Sequence, residues 1–242
     1  MNEVANRGGG PPIDAAWGNC GITVTQSSEY VHVSSNSGLR CISSGIHAGG
    51  LRNVHHVLNF KVSKEYDCRN PKQDLRGRIT RIGLNPDQAT ALMTAALLED
   101  AGWAEATGSG WSLLVCVTAG FANAARVSAK LATKYRPGTV NIMVIVDGRL
   151  TDDALVESVI TVTEAKSAVL QDLGITCSDG QIATGTTTDA VVIGATQDSV
   201  GDGRHLIEYT GLATEFGSRL SEAVYKALFS AGRRYLDRLG EM

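Results

Sequence analysis

Apolar and polar positions follow two patterns along this chain, one typical of strands and one typical of helices. Short apolar runs separated by turn residues predict strands at 22–25, 30–33, 39–43 and 58–62, with a turn at 36–38. Runs that are apolar at successive positions predict strands covered on both faces at 111–118, 139–146 and 190–195. The two kinds of run together predict a mixed sheet.

Helical spacing of apolar residues, together with capping residues, predicts three helices. The first lies over 86–99 with Asn85 as its cap, and the second lies over 151–174 with Thr151 as its cap. The third is amphipathic and begins after Thr214. Because doubly covered strands alternate with helices, we predict an α/β protein: a single layered α/β domain with a mixed β-sheet core packed by helices.

Length and composition agree with this architecture. The chain has 242 residues, of which 43% are hydrophobic and 19% charged, as in a globular protein of one large domain. Residues 8–12, three glycines followed by two prolines, suit neither a helix nor a central strand. We therefore predict a flexible N-terminal segment over 1–18 and one domain over 19–242.

Charge and cysteine content narrow the classes of function. The net charge is -3 and the pI is about 6.0, so nucleic-acid binding is not expected. The longest apolar runs are too short to span a bilayer, and residues 1–14 lack the apolar core of a signal peptide. We therefore expect no membrane association and a cytoplasmic location. The five cysteines are scattered without C-x-x-C spacing, which predicts neither a disulfide framework nor a metal site.

One lysine interrupts the apolar face of the helix predicted over 151–174. Lys166 fills the gap between Val162 and Val169 in that apolar stripe. A lysine in this position extends to solvent, pairs with a carboxylate or acts chemically. Glu164 lies two residues away and therefore points to nearly the opposite side of the helix. The alternative to a functional role is that Lys166 extends to solvent and Glu164 lies in water.

A polar run stands directly before the strand predicted over 190–195. It consists of Gly185, Thr186, Thr187, Thr188 and Asp189. Glycine lets the backbone approach a ligand, and successive hydroxyls and amides can bind an oxyanion. The structural alternative is a threonine-rich turn in which Asp189 acts as a local cap.

Four further polar residues are candidates for a site. Asn141 lies inside an apolar run, so its buried amide either orients a substrate or bridges strands. Asn123 follows a predicted strand-to-helix turn, where sites in α/β folds often lie. His47, in the glycine-rich stretch 43–50, is a candidate acid or base, and Ser44 is a candidate nucleophile.

Several short stretches occur in an order that resembles the adenosylcobinamide amidohydrolase (CbiZ) family over about residues 38–230. The stretches are Ser43-Ser44, Gly49-Gly50, Asn59-Phe60-Lys61-Val62, Met93-Thr94-Ala95-Ala96, Val117-Thr118-Ala119-Gly120 with Asn123-Ala124, Gly138-Thr139-Val140-Asn141-Ile142, Thr163-Glu164-Ala165-Lys166 and Gly185-Thr186-Thr187-Thr188-Asp189-Ala190-Val191. The chain departs from the family where a triple glycine after the serine pair becomes Ala48-Gly49-Gly50, preceded by His47.

The resemblance implies an activity, a substrate and a biological role. Such enzymes hydrolyse the amide that joins the aminopropanol arm to the corrinoid ring of adenosylcobinamide. The products are adenosylcobyric acid and 1-amino-2-propanol, and the step serves salvage of cobalamin precursors. The expected ligand is thus a small-molecule corrinoid. Its cobalt belongs to the substrate, so no protein cofactor is expected. Assembly into a homo-oligomer is left open.

Amide hydrolysis needs an activated water or hydroxyl, donors for the oxyanion and an acid for the leaving amine. We hypothesise that Glu164 or Asp189 is the base and that Lys166 or the backbone amides of the 185–188 loop hold the oxyanion. A hydroxyl from that loop, or from Ser44, is the rival nucleophile. The residues expected to bind substrate are Ser44, His47, Gly49, Gly50, Asn59, Asn123, Asn141, Gly185, Thr186, Thr187 and Thr188.

Two other functions are kept as alternatives. The pair Gly138-Thr139 suggests an acyl-transfer or self-processing enzyme with a threonine nucleophile. The third hypothesis is a corrinoid-binding module without catalytic activity.

Overall fold

The computed structural model describes residues 15–17, 21–128, 138–197 and 206–240. Within these ranges the chain forms three α-helices: α1 Pro71–Arg81, α2 Asp152–Asp172 and α3 Glu215–Gly240. The strands are β1 Ala15–Trp17, β2 Ile22–Gln26, β3 Tyr30–Ser43, β4 Gly50–Lys61, β5 Ala89–Thr94, β6 Gly102–Gly108, β7 Trp111–Gly120, β8 Ala124–Ala125, β9 Thr139–Asp147, β10 Arg149–Leu150, β11 Gly185–Thr186, β12 Ala190–Ala195 and β13 Leu206–Ile207.

Nine of these strands form one curled sheet. Seven follow the order β1-β2-β3-β12-β9-β7-β6, while β4 pairs with β3 and with β5. The β9–β12 and β4–β5 pairs are parallel and the other pairs of this sheet are antiparallel, which confirms the predicted mixed sheet. One buried apolar cluster contains Val33 of β3, Leu92 of β5, Leu114 of β7 and Met143 of β9. The two halves of the sheet therefore face each other across a shared interior.

The helices cover the outer faces of the curled sheet. Val162 of α2 and Leu220 of α3 share a buried cluster with Val144 of β9. On the other side, Leu75 and Ile79 of α1 pack in a cluster with residues of β4 and β5. This layering confirms the predicted α/β domain with helices packed on a mixed sheet. None of the helices in the described ranges is long and apolar enough to cross a membrane.

Several predicted elements are confirmed. The strands predicted over 111–118, 139–146 and 190–195 are present as β7, β9 and β12. Helix α2 begins after Thr151, whose hydroxyl accepts a hydrogen bond from the Ala154 amide at 3.0 Å. Helix α3 begins after Thr214, which accepts from the Gly217 amide at 3.0 Å. Capping residues therefore predicted the starts of α2 and α3 correctly, and continuous apolar runs predicted the three central strands correctly.

The helix predicted over 86–99 is wrong. Asn85 caps only a short 3₁₀ turn, Pro86–Gln88, by accepting a hydrogen bond from the Asp87 amide at 3.0 Å. The chain then enters β5, which runs parallel to β4 and is buried at five of its six positions. The segment has no polar face for solvent, so burial between sheet and helix outweighs the capping signal.

The first third of the chain also differs from the prediction. The turn expected at 36–38 is an irregularity inside the continuous strand β3, where the register with β4 shifts between Ser34 and Leu39. Helix α1 and strand β6 were missed. Most of the segment predicted to be flexible over 1–18 lies outside the described residues, but Ala15–Trp17 pair with β2 and Trp17 is buried.

The contact between β6 and α3 predicts a strong steric effect at Gly102. A Cβ atom at this position would lie 1.8 Å from the Ala227 carbonyl oxygen of α3, so Gly102→Ala must push the helix away. We expect a loss of about 2–3 kcal/mol in the free energy of unfolding, measured by urea denaturation. The matched control is Gly77→Ala in α1, where no atom lies within 4 Å. The free energy of unfolding of Gly77→Ala should rise by about 0.5–1 kcal/mol. Equal stability of the two variants would contradict the packing of β6 against α3.

A histidine pair between β3 and β4 predicts a pH dependence of stability. The His32 and His56 rings are joined at 3.1 Å, and burial together with the neighbouring His56 lowers the pKa of His32 from 6.5 to about 4. Between these values the unfolded chain binds a proton that the folded chain does not, so stability falls as the pH falls. We expect His32 to account for about 3 kcal/mol over this window. The measurement is the free energy of unfolding in urea at several pH values. His32→Phe should make this free energy depend less on pH, and the same pH dependence as in the unmodified chain would refute the prediction.

Candidate functional site

The candidate site lies where two parallel strands begin. Thr139 is the first residue of β9 and Asp189 directly precedes β12, and the two strands are neighbours in the sheet. The short β11 pairs with β8 beside them, which brings Thr186 next to Ala124. One buried residue of α2, Lys166, reaches the same place. The polar run that precedes β12 is thus positioned by a sheet edge, a second small sheet and a helix.

The Asp189 carboxylate holds this arrangement together. Its Oδ2 accepts hydrogen bonds from Lys166 Nζ at 2.5 Å and from the Thr186 amide at 3.0 Å. Its Oδ1 accepts from Thr186 Oγ1 at 2.5 Å and from the Val140 amide at 3.1 Å. The Lys166 and Asp189 side chains are only 11% and 12% exposed. A carboxylate has about four lone-pair sites, so Asp189 has none left for a water molecule.

Gly185 is required by the same cluster. A Cβ atom at this position would lie 2.5 Å from Asp189 Oδ2 and 2.9 Å from Lys166 Nζ. Any larger residue would separate the ion pair or displace the loop. This close approach explains the glycine at the start of the polar run.

A second set of polar groups bridges the two halves of the sheet. Asn141 Nδ2 donates to Asn59 Oδ1 at 2.8 Å and to the Met93 carbonyl at 2.7 Å, while its Oδ1 accepts from Thr139 Oγ1 at 3.0 Å. Asn59 Nδ2 in turn donates to Thr118 Oγ1 at 3.0 Å. Both asparagines are 1% exposed, and each amide has partners for its oxygen and its nitrogen. Of the two roles considered for Asn141, these contacts favour the bridge between strands.

Asn123 differs from these two asparagines. Its Nδ2 donates to Thr187 Oγ1 at 2.7 Å and to Thr188 Oγ1 at 3.3 Å, which orients the amide group. Its Oδ1 is buried and has no hydrogen-bond partner among the residues that the structure describes. Because buried acceptors are nearly always paired, this oxygen is a candidate acceptor for the N–H group of a ligand. It packs against Gly138, where a Cβ atom would lie 2.3 Å from it, so a ligand reaches it only if neighbouring atoms move. Asn123 therefore differs from Asn59 and Asn141 in having an acceptor atom that can take a further hydrogen bond.

Three of the four backbone amides of the 185–188 loop already donate hydrogen bonds within the protein. The Thr186 amide donates to Asp189, the Thr187 amide to the Asn123 carbonyl at 3.3 Å, and the Thr188 amide to Thr186 Oγ1 at 3.4 Å. These amides were predicted to hold an oxyanion, and in this arrangement they do not point to one. The Lys166 ammonium, with three donors and one carboxylate partner, is the remaining candidate.

The other predicted residues lie outside the Asp189 cluster. Glu164 is exposed on the far side of α2, as the helical geometry predicted. Ser44 accepts a hydrogen bond from the Val191 amide at 2.9 Å, beside the start of β12. The His47 ring contacts the Pro86 carbonyl at 2.8 Å, and the His47 backbone exchanges hydrogen bonds with Ala91 of β5, which holds the glycine-rich loop there. Within the described ranges no hydrogen bond joins His47, Gly49 or Gly50 to Asp189 or Lys166.

The glycine-rich loop contains one residue in a backbone conformation that favours glycine. Ala48, the first of the two departures expected from the family resemblance, has φ 52°, in the left-handed region. The backbone therefore keeps a conformation for which a glycine is the unstrained residue.

Sequence reasoning missed three hydroxyls of the site. Thr94 and Thr118 were quoted only as parts of longer stretches, and Thr139 was considered only as the nucleophile of a self-processing enzyme, yet all three lie in the buried network. Each is at most 4% exposed. The feature of the sequence that could have indicated these residues is a hydroxyl inside or beside a strand that is apolar on both faces. Threonine is also common in strands because its β-branched side chain fits them, so this feature alone does not indicate a site.

The arrangement offers a cation, a carboxylate joined to a hydroxyl, and an unpaired amide oxygen. In the part of the chain that the structure describes, no group of three or more histidine, cysteine or acidic residues is placed to hold a metal ion. The groups present suit polarisation of a carbonyl and recognition of an N–H.

The buried ion pair predicts an asymmetric effect of substitution. Lys166→Met leaves the Asp189 carboxylate buried without its cation, so we expect a loss of about 3–5 kcal/mol in urea unfolding. Adding Asp189→Asn should recover part of that loss. The control is Arg40→Gln, which breaks an ion pair with Asp152 whose side chain is 51% exposed, and should cost under about 1 kcal/mol. Equal losses from Lys166→Met and Arg40→Gln would contradict the assignment.

Comparison with known proteins adds three observations. A protein of Methanosarcina mazei named adenosylcobinamide amidohydrolase is 29% identical over 191 residues, which cover 77% of this chain and 86% of that protein. An uncharacterized protein of Methanocaldococcus jannaschii is 28% identical over 205 residues, covering 75% of this chain and 78% of that protein. Among solved structures, a Burkholderia sp. β-aminopeptidase matches with a TM-score of 0.45 and 12% identity, over 90% of this chain and 81% of the other.

The family model described as adenosylcobinamide amidohydrolase (CbiZ) matches residues 19–239, nearly the whole chain. This match includes every residue of the Asp189 cluster and of the asparagine network. It confirms the resemblance found in the ordered sequence stretches. The chain therefore belongs to the adenosylcobinamide amidohydrolase (CbiZ) family.

Proposed function

We propose that this protein hydrolyses the amide that links the aminopropanol arm to the corrinoid ring of adenosylcobinamide. The products are adenosylcobyric acid and 1-amino-2-propanol, in salvage of cobalamin precursors. Family membership supports the amidohydrolase class. The observation that supports the proposal within the site is Asn123 Oδ1, a buried acceptor with no partner in the described part of the chain, on a side chain that binds the loop preceding Asp189.

Two residues have complementary roles toward the scissile amide. Asn123 Oδ1 accepts the amide N–H, and its own N–H₂ group is held by the hydroxyls of Thr187 and Thr188. Lys166 Nζ, fixed by Asp189, donates to the carbonyl oxygen and stabilises the oxyanion as it forms. An amide has one group of each kind, so this pair selects it over an ester, which lacks the N–H.

We assign the nucleophile to the hydroxyl of Thr186. Its proton already lies on a hydrogen bond to Asp189 Oδ1, and Asp189 has no lone pair free for a water molecule. Thr186 is also partly exposed, so a substrate can reach it.

The reaction then proceeds in two stages. Thr186 Oγ1 attacks the amide carbon and its proton passes through Asp189 to the leaving nitrogen. The C–N bond breaks, 1-amino-2-propanol leaves and the corrinoid acyl group stays on Thr186 as an ester. Water then cleaves the ester, releases adenosylcobyric acid and restores the hydroxyl. The cobalt remains part of the substrate throughout, and this scheme uses no resident cofactor.

The direct test is incubation with adenosylcobinamide followed by chromatography. We expect adenosylcobyric acid and 1-amino-2-propanol in equal amounts. Binding of adenosylcobinamide without release of aminopropanol, over a range of pH and added metal ions, would overturn the proposal in favour of a binding module.

Variants separate the assigned roles in the same assay. Thr186→Ala should lower turnover by at least about 10³-fold, whereas Thr186→Ser should retain a measurable part. Asn123→Leu should lower kcat/KM by about 10- to 100-fold because the amide N–H loses its acceptor. Thr163→Ala and Glu164→Gln are controls on the exposed face of α2 and should turn over normally. Full activity of Thr186→Ala would favour direct attack by water.

The self-processing alternative is decided by the intact mass of the active protein. It requires a chain cut before Thr139, whereas our assignment requires an uncut chain that gains the mass of the acyl group on Thr186. The Thr139 hydroxyl has one proton, which it shares between the Thr188 carbonyl at 2.8 Å and Asn141 Oδ1 at 3.0 Å, so its donor capacity serves the fold. The cytoplasmic location, the lack of nucleic-acid binding and the open question of a homo-oligomer stay predictions from sequence.

A further inference from the structure

A cleft of about 580 Å³ lies between the start of β3, the end of β4 and the C-terminal half of α1. Phe60 lines it and packs in the cluster covered by α1. The preceding residue, Asn59, points into the interior network instead. Because successive strand residues face opposite sides of a sheet, the part of the cleft beside Phe60 opens away from the candidate site.

The cleft concentrates positive charge in a protein whose net charge is -3. Its lining includes Lys61, Arg78 and Arg81 against a single carboxylate, that of Glu29. Arg78 Nη1 donates to the Lys61 carbonyl at 3.1 Å, which anchors the guanidinium in the wall. No ion pair joins these three cations to any carboxylate in the described ranges.

Three other arginines of the chain show the contrasting, paired arrangement. Arg40 pairs with Asp152 at 2.6 Å, Arg76 with Asp87 at 2.8 Å, and Arg238 with Asp100 at 2.6 Å. Arg76 lies on α1 only two residues from Arg78, so one side of the helix carries an arginine paired with an acid and the side that faces the cleft carries Arg78 without one. Like charges held together without acids destabilise a surface unless an anion compensates them.

We propose that this cleft binds the phosphate group of a small phosphate ester. A phosphate dianion suits several cationic donors, and guanidinium groups match its oxygens in pairs. The hydroxyls of Ser28 and Ser63 are further donors at the rim, while Phe60, Val62 and Ile82 offer apolar surface to the organic part of the ester. The site does not depend on the proposed amide hydrolysis.

Calorimetric titration of the full chain with three probes tests the ligand class. Inorganic phosphate, phenyl phosphate and benzoate separate the contribution of the phosphate from that of the apolar ring. We expect phenyl phosphate to bind more tightly than inorganic phosphate, and benzoate at least about tenfold more weakly than phenyl phosphate. Equal binding of benzoate and phenyl phosphate, or no saturable binding of either phosphate, would overturn the proposal.

Substitutions at exposed positions locate the binding. Arg81→Gln should weaken phenyl phosphate about tenfold, and Glu29→Gln should strengthen it because a repulsive carboxylate is removed. Arg76→Gln is the matched control: it removes the same charge from the same helix outside the cleft and should bind as the unmodified chain does. Thermal unfolding of each variant checks that the fold is intact. Unchanged binding by Arg81→Gln would place the anion elsewhere and refute the assignment.

Discussion

The buried carboxylate of Asp189 is the constraint on which the site depends. It takes hydrogen bonds from α2 through Lys166, from its own loop through Thr186, and from β9 through the Val140 amide. A charge so far from solvent is tolerated only with this complete set of partners. Removing one partner therefore disturbs a helix, a loop and a strand together. Because the same contacts fix the Thr186 hydroxyl and the Lys166 ammonium, the stability of the site and the chemistry that we propose for it share one network.

The three asparagines of the site have two different roles. Asn59 and Asn141 satisfy each other and neighbouring groups across the interior of the curled sheet, so they join its two halves. The Asn123 side chain is also held by hydrogen bonds, but its oxygen has no partner among the described residues. A fully paired amide stabilises the fold, whereas an oriented amide with an unpaired acceptor is a candidate for binding a ligand. This difference directs our proposal to Asn123.

The sequence predicted the central strands, α2 and the place of Lys166 in its apolar stripe, because each follows from local periodicity. Helical geometry also separated Glu164 from Lys166 correctly. The partner of Lys166 could not be derived, since Asp189 is 23 residues away and the sheet brings it close. The helix predicted over 86–99 failed for the same reason: its capping signal is local, whereas the pairing of β5 with β4 is not. The roles of Asn123 and Asn141 became distinct only when their partners were known.

The most direct test of the account is a crystal structure of the Thr186→Ala variant with adenosylcobinamide. The account predicts that the amide nitrogen lies about 3 Å from Asn123 Oδ1, that the carbonyl oxygen faces Lys166 Nζ, and that Asp189 keeps its contact with Lys166. An aminopropanol amide bound elsewhere, with Asn123 Oδ1 still unpaired, would contradict it.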